Sequence, residues 1–300
     1  MAEPEVQRRV RAEKRGTRPK RNRRLSHWQA LADVRGTLRP YRAVLASRAR
    51  SQASHRASFR MDLVGAVLVG TIEFTELWVL YSATDQIGGF TLAQIMLVFG
   101  LSDLAFSLAD LAAGHCDNLP VYVRAGTLDV FFLRPQPLLA QLMTSDLSLR
   151  RIGRCLVGAT ALTVGLVIND IDWSVGTVGL LLLALVCGFV IFTAQFVTAA
   201  GLQFFLVNGA EMTNAFVYGG RYAATQPASV WPRGLLVVFG GVFPVAFAAY
   251  LPVSTLLGMP GLAGLPTWLG WCAPVAALWA VVVAGLCWRW GLRHYRGAGG

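Results

Sequence analysis

No charged side chain occurs between Trp173 and Ala210, and none between Gly234 and Trp288. Runs of that length exceed what a buried helix of a soluble domain uses, while roughly 20 apolar residues cross a bilayer. The whole chain agrees: 55% of its residues are hydrophobic and only 14% are charged, far from the balance of a soluble domain. Lipid offers no hydrogen bonds to a backbone, so spans of this length are predicted as helices. Six can be drawn, over Phe59–Tyr81, Leu92–Ala113, Cys155–Ile171, Val175–Val197, Leu235–Leu257 and Trp268–Trp288. The third is the shortest, because Asn169 and Asp170 cut into it. The expectation is an all-α integral membrane protein with six transmembrane helices.

Against these six spans, all 27 Lys and Arg residues fall on one side. Seventeen precede the first span or stand at its edge, and Arg124, Arg134, Arg150, Arg151 and Arg154 lie between the second and third. Arg221 and Arg233 fall between the fourth and fifth, and Arg289, Arg293 and Arg296 follow the sixth. The other three loops hold Asp85, Asp170 and Asp172 instead. Loops rich in Lys and Arg stay cytoplasmic, which puts both termini in the cytoplasm. Tryptophan supports the same frame, since indole rings favour the headgroup level. Trp78, Trp173, Trp268 and Trp271 fall at predicted outer ends, and Trp231, Trp288 and Trp290 at inner ends.

The formal charge of +11 is explained by membrane topology rather than by nucleic acid. Most of the excess sits in Arg8–Arg24, within a tail (1–37) that has little apolar residue to fold around. Such a tail is expected to stay disordered and lean on anionic lipid, at about 1 kcal/mol per basic residue near the surface. From about Leu38 to Ser58, Arg42, Arg48, Arg50 and Arg56 alternate with small residues and Leu45, as in an amphipathic interfacial helix leading into the first span. The six-span membrane domain is therefore drawn over 38–300. No cleavable signal peptide is visible, because the first apolar run begins too late for one. Only Lys14 and Lys20 are lysine among the basic residues, a bias that points to a GC-rich bacterial genome and a bacterial cytoplasmic membrane.

The five cysteines form no CxxC pair, so neither a disulfide framework nor a zinc site is suggested. No G-x-S-x-G elbow and no H-E-x-x-H is present, and no metal is expected. The phosphate-binding loop G-x-x-x-x-G-K-[ST] is missing too, so this chain is not expected to hydrolyse ATP by that route. Uphill transport would draw its energy from another subunit or from an ion gradient.

Between the second and third spans the chain reads Leu119-Pro120-Val121-Tyr122-Val123-Arg124-Ala125-Gly126-Thr127-Leu128-Asp129-Val130-Phe131-Phe132-Leu133-Arg134-Pro135. This resembles the RxGxLDxxLLRP signature of type-2 ABC exporter permeases, the membrane subunits of ATP-binding-cassette transporters, with Phe132 in place of a leucine. A second likeness follows the fourth span: Tyr218-Gly219-Gly220-Arg221, then Pro227, Trp231-Pro232, Phe243-Pro244 and Tyr250-Leu251-Pro252. Gln226 departs from the aromatic residue that family often has before the proline. The ending Trp288–Tyr295 also resembles family endings, so the likeness runs from roughly Tyr41 to Tyr295.

The resemblance implies a half-transporter, in which two permease chains, like or unlike, pair in the membrane and separate ATPase subunits dock beneath. ATP and Mg would belong to those subunits, with no cofactor on this chain. It further implies that Gly126, Leu128, Asp129, Phe132, Leu133, Arg134 and Pro135 form the coupling segment, and that Gly219, Gly220, Arg221, Pro227, Pro244 and Pro252 are structural motif residues. The residues themselves are compatible with that role. Gly126 offers a start, Leu128 to Leu133 an apolar surface, and Pro135 a stop. The plain alternative is an interfacial turn resting on lipid.

Carboxylates also fall well inside the first two spans. Glu73 and Glu76 share a face of the first, and Asp103 and Asp110 share a stripe with Ser107 on the second. A carboxylate near the bilayer centre costs roughly 2.5–3.5 kcal/mol on insertion scales, so these groups should face protein or water. Glu73 and Asp103 are candidates for a path taken by polar or cationic cargo, or else for interhelical hydrogen bonding. For Glu76 and Asp110 simple proximity to the interfaces suffices, and Glu211 is placed to pair with Arg221 in a loop. The rival to an ABC exporter is an ion-gradient transporter or channel with Glu73 and Asp103 binding the coupling ion, yet no inverted repeat supports it. A membrane-embedded enzyme lacks its catalytic constellation. Cargo is left open, with small hydrophobic or cationic compounds as candidates.

Overall fold

In the computed structural model, which describes residues 56–134, 136–145, 150–206, 211, 214–259 and 266–295, five helices are long and apolar enough to cross a membrane. They are α1 (Arg56–Ser82), α2 (Leu92–Ala113), α3 (Arg150–Ile168), α4 (Val175–Gln203) and α5 (Ala273–His294). No strand occurs among the described residues, so the all-α expectation holds for them. The basic tail lies outside the described residues. So does the predicted interfacial helix, apart from its last three positions, which already belong to α1.

Sequence chemistry sets the ends. Thr91 and Gln94 cap α2 reciprocally, the Thr91 hydroxyl accepting from the Gln94 N–H and the Gln94 side chain from the Thr91 N–H. Ser174 and Thr177 do the same for α4. Between α1 and α2, Gly88 and Gly89 take φ of 61° and 85°, the left-handed region glycine enters freely. Their turn pairs Ile87 with Phe90.

Helix α2 is the buried centre, from Ile95 through Asp110. It crosses α3 almost backbone to backbone. A Cβ on Gly158 would lie 2.7 Å from the Leu104 nitrogen, and one on Gly165 2.8 Å from the Leu97 Cα. Small residues permit such approach where lipid gives helices no hydrophobic reason to associate. Gly158→Ala is therefore expected to lower stability in detergent by about 1–3 kcal/mol through overpacking. Gly179 on α4 has open space around it, so Gly179→Ala should leave stability unchanged or raise it by up to about 1 kcal/mol. Thermal unfolding of the two variants side by side checks this. Equal losses would contradict the packing account.

The segment predicted as the fifth span is bent in the structure, as a broken span or a re-entrant loop. Residues Arg233–Val242 and Val245–Leu256 meet at an angle of 68°. The bend falls at Phe243-Pro244, where Phe243 is extended (φ −111°, ψ 95°) and Pro244 has no N–H to continue a helix. The first leg has ten residues, about 15 Å of helix, against a hydrocarbon core of about 30 Å. It is too short to cross. Contacts show where both legs begin and end. Before the first leg, the Ser229 hydroxyl donates to Gly88 O at 2.8 Å, at the end of the bundle opposite Arg151, Arg154, Arg289 and Arg293. At the bend, Phe243 and Pro244 line a space with Ile191, Ala194, Gln195 and Thr198 of α4, at the level where Gln195 faces Gly220. The second leg returns: Tyr250 packs its ring 5.2 Å from Phe90, and Thr255 bonds Thr267 O and the Gly270 N–H just before α5.

The residues ahead of this hairpin traverse the bundle instead. A π-helical turn (Asn214–Tyr218), the helix Gly219–Ala224 and a 3-10 turn (Ala228–Val230) run alongside α2. Tyr218 bonds Asp117 near the arginine-rich end, and Ser229 reaches Gly88 at the other. Two arginines assigned to a cytoplasmic loop are thereby relocated. Arg221 lies at mid-length of α1 and α2, and Arg233 follows closely on Ser229, away from the arginine-rich end. Trp231, expected at an inner end, moves with them.

Candidate functional site

Arg221, one residue beyond Gly219-Gly220, turns into the bundle and meets both carboxylates singled out in the sequence. Its Nη1 and Nη2 donate to the two Glu73 oxygens at 2.9 and 2.8 Å. Nε and Nη2 donate to Asp103 Oδ1 at 3.1 and 2.6 Å. The flat guanidinium suits this two-sided recognition because its donors form a rigid fork. The Phe106 ring lies 5.4 Å from the guanidinium carbon on another side. Asp103 is 3% exposed, whereas Glu73 and Arg221 keep about a fifth of their side-chain surface. With all three groups ionised the cluster carries one net negative charge.

The next residue extends the tie, because the Tyr222 hydroxyl donates to Glu76. Glu73 and Glu76 of α1 are thus held by consecutive side chains of one short helix. The Glu211–Arg221 pair expected from sequence is not the pairing found, since Arg221 is committed to Glu73 and Asp103. The interhelical-bonding reading of these two acids now has named partners. The space lined by Glu73, Glu76, Arg221 and Tyr222 measures only about 10 Å³, at or below what one water needs. Deeper toward the arginine-rich end, Asp110 is held by Arg151 Nε at 3.1 Å and Arg154 Nη1 at 3.5 Å. Gly114 leaves room for that pair, for a Cβ there would collide with Asp110 and Arg151.

The motif residues after α2 fold into three short helices, Leu119–Arg124, Leu128–Phe132 and Leu138–Thr144. Gly126 closes the first helix rather than merely opening the second. At φ 67° it lets its own N–H reach Val123 O and the Thr127 N–H reach Tyr122 O. The apolar residues divide between two faces. Leu128 is fully buried in the main core and Phe131 packs against it, while Val130, Phe132 and Leu133 are 50%, 49% and 85% exposed. Asp129 accepts a hydrogen bond from the Tyr295 hydroxyl at 2.9 Å, and Phe132 stacks on the same ring at 5.8 Å and 13°. Burial and the Asp129 carboxylate push the Tyr295 hydroxyl up to about 12, so it stays a donor at neutral pH. Arg134 lies over the Phe131 ring, and Pro135 falls outside the described residues.

The remaining motif positions do structural work. Gly220 faces α4 with no side chain, so the Gln195 amide and Phe239 approach it closely. Pro227 starts the 3-10 turn beside Gly88, Pro244 makes the hairpin bend, and Pro252 is buried in the second leg against Gly270. Sequence reasoning missed Tyr222 and Tyr218 as hydrogen-bond donors to Glu76 and Asp117, and Gln195 as a buried amide facing Gly220.

A helical multi-pass membrane protein with a tied ion cluster at mid-depth, and a short apolar helix bared at its arginine-rich end, is built like a transport subunit that receives a partner. The chain belongs to the ABC-2 family of transporter proteins, whose family model matches residues 67–299. That bears out the likeness read from the motifs. Members of this family are generally the non-catalytic membrane subunit, and membership implies association with an ABC ATPase subunit. Comparison with curated proteins and with solved structures returned no match.

Proposed function

We propose that this chain is the permease subunit of an ABC exporter in a bacterial cytoplasmic membrane, driven by separate ATPase subunits and working as a homo- or heterodimer of permeases. The observation that carries the proposal is Leu133, 85% exposed at the tip of a helix whose other apolar face is locked in the core. An apolar tip on a polar face calls for a protein to cover it. The ATPase subunit would grip Val130, Phe132 and Leu133, and its stroke would pass through buried Leu128 and through the Asp129–Tyr295 bond to α5. ATP and Mg would be bound by that partner.

In this reading the membrane is crossed six times, by α1 to α5 and by 211–230, with both termini cytoplasmic and 233–256 re-entering from the outside. Reporter fusions at Gly300 and at Asp85 should fall in opposite compartments, and a fusion at Gly234 should agree with Asp85. Agreement of Gly234 with Gly300 would instead restore a fifth span over 235–257.

Glu73 and Asp103 would line the cargo path once α1 separates from the Gly219–Ala224 helix and frees the cluster's negative charge for a cationic compound. Glu73→Gln should then reduce export of a cationic compound more than export of a neutral one at equal protein level. Equal reduction would leave the cluster as a structural tie alone.

A further inference from the structure

Under the hairpin bend lies a cavity of about 200 Å³, walled by Gln195, Thr198, Ala199 and Leu202 of α4 with Phe216 and Phe243. It sits on the opposite face of the Asn214–Ala224 segment from the ion cluster, because Gly220 turns toward Gln195 while Arg221 turns toward Glu73. Gln195 is 3% exposed, and neither its Nε2 nor its Oε1 has a hydrogen-bond partner among the described residues. Leaving both halves of a buried carboxamide unpaired is costly, and such groups are normally satisfied by protein or water. A single water would not fill this space, since its share of liquid volume is about 30 Å³. Among the described residues the other side-chain polar group in the wall, the Thr198 hydroxyl, already donates to Ala194 O at 2.7 Å.

We propose that this cavity binds a small neutral molecule with an apolar or aromatic body and one group that both donates and accepts, such as a primary carboxamide. The Gln195 carbonyl accepts from the ligand's N–H, and its NH₂ donates to the ligand's carbonyl. Phe216 and Phe243 hold the ring. The volume matches: an apolar cavity of roughly 150 Å³ is known to take benzene, and this one is larger by about the size of one polar substituent. Among the described residues no charged side chain lines it, so a permanent ion would lose its hydration without compensation. The site is separate from the candidate path at Glu73 and Asp103. Calling its ligand cargo rests on the permease reading; the binding itself does not.

The test uses the purified full chain in detergent, without any ATPase, and the probes 4-fluorobenzamide and 4-fluorotoluene followed by fluorine NMR. Wild type should bind the amide saturably. Gln195→Leu, close in shape, should weaken amide binding roughly tenfold through loss of two neutral hydrogen bonds, yet leave 4-fluorotoluene binding within about twofold. Ala199→Phe should fill the cavity and abolish both. If that variant does not fold, Gln195→Leu decides alone. Absence of saturable amide binding, or an equal response of both probes to Gln195→Leu, would overturn the proposal. Either result would leave the permease reading untouched.

Discussion

Arg221→Met should be the most damaging single substitution in the membrane domain, costing about 3–5 kcal/mol, because it removes the cation to which two carboxylates are bonded. Glu73 and Asp103 face Arg221 at 2.6–2.9 Å, and Asp103 is 3% exposed. Asp103 cannot reach water without parting the helices. Folded, monodisperse protein in detergent should fall sharply. Arg221→Lys should rescue only part, since an ammonium supplies one point charge where the guanidinium supplies a fork. Combining R221M with E73Q and D103N should recover most of the loss, because amides cost less to bury than unpaired carboxylates. A single R221M variant as stable as wild type would show that the cluster is dispensable.

Leu133→Asp should leave the fold intact and yet separate the chain from its ATPase. At 85% exposure the side chain contributes little to the subunit's own core. A charge in the middle of a docked apolar patch leaves an ion buried without a partner, which costs about 3–5 kcal/mol where it cannot be solvated. That corresponds to more than a hundredfold in affinity. Phe132→Asp is a less selective probe, because Phe132 also stacks on Tyr295 and its loss would loosen the end of α5. Unchanged co-purification of the Leu133→Asp variant, at normal accumulation, would move the docking site elsewhere.

Much of this architecture was legible in the residues. The four spans over α1, α2, α4 and α5 are long apolar runs that no packing detail can hide, and Thr91-x-x-Gln94 and Ser174-x-x-Thr177 mark two of their starts. The bend in the fifth predicted span and the path of the residues before it were not read, for a physical reason. Hydropathy selects the greasier segment, and 235–257 is free of charge while 211–230 contains Arg221, Gln226 and Pro227. In the proposed topology the polar segment crosses because its arginine is neutralised inside the bundle by acids on other helices, a three-body match that no window average contains. A signal was present nonetheless. Arg221 is the only charged residue between Glu211 and Arg233, and two orphan acids lay in neighbouring spans. The greasier segment turns back because Phe243-Pro244 breaks it, and prolines are tolerated in spans often enough that the bend could not be told from a kink.

The coupling motif was legible as a pattern but not as a surface. Sequence spacing grouped Leu128 with Phe132 and Leu133, whereas folding buries the first and bares the last. Gln195 gave no sign at all, since a lone amide in an apolar run reads as an ordinary interhelical contact.

The account rests most heavily on the chain being one subunit of an ATP-driven pair, and affinity purification from native membranes in mild detergent tests that directly. An ATPase carrying a G-x-x-x-x-G-K-[ST] loop should travel with the tagged chain, and ATP hydrolysis should belong to the complex and be missing from the chain purified alone. Recovery of the chain with no such ATPase, or ATP turnover by the rigorously pure chain, would contradict it.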